Sequence, residues 1–159
     1  MVACSTLIAP APTPTPSEME VLETALAQVQ AMNTANPDGH LHEIMQQRSV
    51  TLTAKEVQYD MANNLDKEFG LSGDGEICDY YNWGYDDSIK DKYFCVEVTP
   101  SGGLRERWYI YFSRKNVSKL YQDLLKGNVQ IFLTAKIQGN LYDENQGNMA
   151  TGIYAEWVK

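Results

Sequence analysis

From Tyr93 onward, apolar and polar residues alternate in a way that predicts strands. Phe94, Val96 and Val98 point one way in a strand from Tyr93 to Thr99, and Tyr93, Cys95 and Glu97 point the other. Pro100-Ser101-Gly102-Gly103 is a turn. A second strand follows from Arg105 to Ser113, with Trp108, Ile110 and Phe112 inward and Arg107, Tyr109 and Tyr111 outward. The two form a hairpin. Asn116 or Ser118 then starts a helix with Leu120, Leu124 and Leu125 on one stripe, ended by Lys126-Gly127. Val129, Ile131, Leu133, Ala135 and Ile137 alternate in the next strand. After a polar loop from Gly139 to Gly147, Ile153, Ala155 and Trp157 mark the last one.

The pattern upstream is less regular. Val50, Leu52 and Ala54 alternate with Thr51, Thr53 and Lys55, which predicts a strand from Arg48 to about Tyr59 and then a helix over about Met61 to Phe69. A rival helical reading is open, because Thr53-x-x-Glu56 is a capping box and Val57, Met61, Leu65 and Phe69 fall four apart. Gly70 to Asp91 reads as an irregular insertion that is rich in glycine, acids and aromatics, including Tyr81 and Trp83. It lacks the alternating oxygen ligands and closing Glu of an EF-hand loop, so calcium is a secondary reading and an acidic surface loop the primary one. No other metal site is expected. His40 and His42 sit on a polar connector and read as surface residues.

Near the N-terminus, Ser17-x-x-Glu20 caps a helix whose stripe is Val21, Leu22, Ala25, Leu26 and Val29. Asn36-Pro37-Asp38-Gly39 is expected to stop it, with a short helical turn through His42 to Gln47. The stripe needs a cover, either the barrel or another subunit. The domain plan is thus a tail over residues 1–16, a helical segment over 17–47, and a β-rich domain over 48–159 with an insertion at 70–91.

Composition is that of a globular protein, 43% hydrophobic and 21% charged. The formal net charge of −8 lacks the basic footprint of a nucleic-acid binder. Only Arg105, Arg107, Arg114, Lys115 and Lys119 make a local basic stripe, which reads as a strand end and a solvated helix start. No run of about 18 apolar residues spans a membrane.

The opening Met1-Val2-Ala3-Cys4-Ser5 resembles the end of a bacterial lipoprotein signal, with Met1 in the place of the usual Leu. The resemblance implies lipid on Cys4. Ala9-Pro10-Ala11-Pro12-Thr13-Pro14-Thr15-Pro16 follows as a semi-rigid extended tether. Cys78 and Cys95 remain in the folded part. In an exported protein they are expected to form a disulfide, worth about 3 kcal/mol by loop closure. The alternative is two free thiols in a cytosolic protein.

Strand, strand, strand, helix, strand, strand is the order of a five-stranded OB barrel, with the helix between the third and fourth strands. Trp108 to Ser113, Leu124-Leu125-Lys126-Gly127 and Val129 to Gly139 resemble the bacterial lipoproteins whose soluble part is a tRNA-anti-like OB domain. The expected class is α+β, mainly β, preceded by an N-terminal helix. OB barrels bind on the outer face of their second and third strands. Here that face carries Tyr93, Arg107, Tyr109 and Tyr111, with Tyr81 and Trp83 from the insertion as added aromatics. Ordinary cross-strand tyrosine pairing is the alternative. No nucleophile elbow, phosphate loop or His-Glu metal motif is present, so no enzyme and no cofactor is expected. The expectation is a binding or assembly module, lipid-anchored outside the membrane, that meets a protein or a cell-envelope polymer. The alternatives are a structural subunit, including a homo-oligomer, or a single-stranded nucleic-acid or oligosaccharide binder.

Overall fold

A computed structural model describes residues 37–79, 91–101, 107–145 and 147–159. Its strands are β1 (Leu52–Thr53), β2 (Glu68–Ile77), β3 (Tyr93–Pro100), β4 (Trp108–Ser113), β5 (Val129–Lys136) and β6 (Met149–Val158). Among the described residues three α-helices accompany them: α1 (Pro37–Gln47), α2 (Ala54–Tyr59) and α3 (Ser118–Leu124). β2, β3 and β4 form an antiparallel meander. β4 pairs in parallel with β6, β6 antiparallel with β5, and β5 antiparallel with β2. These pairings close a five-stranded barrel in the OB order, and α3 falls between its third and fourth strands. β1 is an extra strand, parallel to β2.

The first barrel strand is therefore β2, and two expectations are corrected. Residues 48–59 do not form a strand beyond Leu52–Thr53. The capping box prevails: Thr53 Oγ1 accepts from Glu56 N–H, and the Glu56 carboxylate accepts from Thr53 N–H at 2.8 Å. The Thr53 N–H and, second, the Thr53 hydroxyl, both donating to the carboxylate, hold the Glu56 carboxyl below its usual range, and the box launches α2, which buries Ala54 and Val57. The expected helix over 61–69 is only a single 3₁₀ turn, Ala62–Asn64. The second correction concerns the insertion, whose first eight residues, 70–77, lie inside the barrel wall. The short helical turn expected through His42 to Gln47 starts earlier, at Pro37, as α1; the helix that Asn36-Pro37-Asp38-Gly39 was expected to stop lies outside the described residues. Proline is tolerated in a first turn, and Asp38 there complements the helix dipole.

Inside the barrel, Phe69, Leu71, Phe94, Val96, Val98, Trp108, Ile110, Phe112, Ile131 and Leu133 are buried together. Trp108 leans on Phe69 at 4.9 Å between ring centroids. Leu120 and Leu124 of α3 join this core, each worth about 2 kcal/mol of apolar burial. Asp123 of α3 faces β6. Trp157 Nε1 donates to its Oδ2 at 3.1 Å, and Lys159 Nζ lies 2.6 Å from Oδ1. The Lys159 and Trp157 bonds push the Asp123 carboxyl down to about 2 from an ordinary 3.8. A depressed carboxylate stabilises fully above its unfolded value and loses that contribution as pH falls through its folded value. The α3–β6 tie should therefore hold above about pH 4 and fail toward about pH 2. Urea titrations at stepped pH check this: Asp123→Asn should flatten the acid loss of stability between those limits.

α1 lies on the outside of β2 and β5, where Ile44 and Met45 are buried. It covers Phe132, and His40 meets that ring edge-on at 4.6 Å. His40 Nε2 also lies 2.9 Å from Glu156. At the other end of the helix, Arg48 Nε donates to Glu68 at 2.8 Å and to buried Thr134 at 3.1 Å, with the guanidinium over the Tyr154 ring. Glu156 accepts from the Tyr154 hydroxyl and raises its pKa. Arg48→Ala removes charge-assisted bonds that are about one-third exposed, so a loss of about 1 kcal/mol is expected. Hydrogen exchange should report it as faster exchange confined first to α1.

Candidate functional site

The outer face of β3 and β4 is built by register. Cys95 sits opposite Tyr111, Glu97 opposite Tyr109, and Tyr93 opposite Ser113. On the far side β6 brings Met149 beside Tyr109 and Thr151 beside Tyr111. The alternation in the sequence thus assigned the face correctly.

It did not assign exposure. Tyr111 is fully buried and Cys95 is 1% exposed. With Cys78 and Met149 they form a second apolar cluster, separate from the barrel interior and flanked by Tyr93, Tyr109 and Leu141. The expected platform of open tyrosines is corrected at Tyr111, whose ring is an internal element of this cluster. Tyr93 and Tyr109 are half-buried at its rim.

The cysteines anchor the cluster. Cys78, just past the end of β2, is joined to Cys95 in β3, with Cα atoms 5.4 Å apart. Cys78 N–H also donates to Cys95 C=O at 3.2 Å, so backbone and side chain both fix this junction. The residues that leave β2 are thereby pinned to the centre of the β3–β4 face.

Charge on the face is sparse. Arg107 is exposed and ion-paired with Glu97, the residue diagonal to it across the hairpin. Asn148 Nδ2 donates to Arg107 C=O at 3.3 Å and its own carbonyl accepts from Tyr109 N–H at 2.9 Å, tying the loop before β6 to the start of β4. Arg114 lies half-buried over the Tyr121 ring and donates to Tyr93 C=O at 3.1 Å. The basic stripe is therefore broken: Arg107 and Arg114 are engaged in separate contacts, and Arg105 is outside the described residues.

Of the residues singled out in the sequence, Tyr93, Arg107, Tyr109, Tyr111, Cys78 and Cys95 come together on this one face. Cys4, Tyr81 and Trp83 lie outside the described residues. Met149 and Leu141 belong to the cluster but carried no signal, because they come from a loop and a strand start some 30 residues beyond the hairpin. Among the described residues, no group of three or more His, Cys, Asp or Glu side chains is placed to hold a metal ion, and no helix is long and apolar enough to cross a membrane. Comparisons with protein-family models, with curated proteins and with solved structures find no match.

Proposed function

We propose that this chain is a non-enzymatic binding or assembly module, an exported and lipid-anchored OB-like domain whose β3–β4 face meets a protein or a cell-envelope polymer. The observation that carries the reading is the Cys78–Cys95 link at the centre of that face. A disulfide persists in oxidising compartments, and this one stiffens the surface on which OB barrels bind. Half-buried Tyr93 and Tyr109 offer flat aromatic edges at small entropic cost. Arg107, held by Glu97, adds an oriented guanidinium. The N-terminal Cys4 and the proline-rich stretch behind it supply the anchor and the tether in this reading.

Two measurements test it together. Intact mass of protein made in its native host should show lipid on Cys4 and a Cys78–Cys95 bridge. A photo-crosslinking residue at Arg107 should capture an envelope component, while one at exposed Lys55 on α2 should not. Equal capture from both positions, or an unmodified Cys4 in the native protein, would overturn the reading.

A further inference from the structure

We draw no further inference here: the strongest candidate, the apolar groove between α1 and β1 lined by Leu41, Met45, Val50 and Thr53, carries nothing, because nothing in the structure shows what covers it.

Discussion

Breaking the Cys78–Cys95 bridge should lower the stability of the barrel by about 3 kcal/mol, a fall in melting temperature of roughly 10 °C for a domain of this size. The bridge spans 17 residues of sequence, and closing that loop in the unfolded chain removes the corresponding entropy. The loss should be local as well as global. Cys95 and Tyr111 face each other in the ladder and are buried in one cluster, so release of Cys78 should loosen the packing over Tyr111. Two samples separate the effects. Reduced wild type loses only the cross-link; Cys78→Ala with Cys95→Ala loses the sulfur packing too, and should be the less stable of the pair. Nitration followed by peptide mapping gives the local readout: Tyr111 should be resistant in the oxidised protein and modified in both samples that lack the bridge. A melting temperature unchanged on reduction, with Tyr111 still resistant, would show that the face is held by packing alone.

The same cluster shows how far the sequence was readable. β3, β4 and β5 alternate over six or more residues, because each has one side in the barrel core, and period-2 patterning reports such a side directly. The direction in which Tyr93, Cys95, Tyr109 and Tyr111 point was legible for that reason. Their burial was not, since it depends on Leu141 from the turn after β5 and Met149 at the start of β6, both distant in sequence. The clamp of α1 was equally hidden. His40 and Glu156 are 116 residues apart, and Arg48 and Thr134 are 86 apart, and nothing local marks either pair. At residues 48–59 two local signals competed, alternation and a capping box. The box won because its reciprocal bonds satisfy helix-end donors, whereas alternation over so few residues fixes no partner strand.

β2 was missed for a different reason, and that reason carries the other large prediction. Its ten residues include Gly70, Gly73 and Gly75 together with Asp74 and Glu76, residue types that strands ordinarily avoid. The glycines are there for space. β2 pairs with β5 over Glu68 to Gly75 and with β3 over Gly73 to Ile77, so both ladders run past Gly73 and Gly75. Gly73 stands where the β3 pairing begins, opposite Pro100, and a Cβ there would lie 2.1 Å from the Thr99 carbonyl oxygen and 2.7 Å from its carbon. Those are backbone atoms of a paired strand and cannot rotate away. Gly73→Ala should therefore cost about 3 kcal/mol or more, at the upper end of overpacking penalties, out of a total stability of about 5–15 kcal/mol. Gly75→Ala is the internal control. It makes the same change two residues along the same strand, but its Cβ would meet only the Ile131 and Val96 side chains, at 3.2 and 3.4 Å. Small rotations of those groups accommodate it, and a cost of about 1 kcal/mol or less is expected. Urea unfolding of the two variants, with equal m-values required for the comparison, measures the difference. Equal stabilities would mean that β2 and β3 do not approach this closely at Gly73. A large gap with Gly73→Ala the weaker would place the closure of the barrel at the one residue type that hid its first strand.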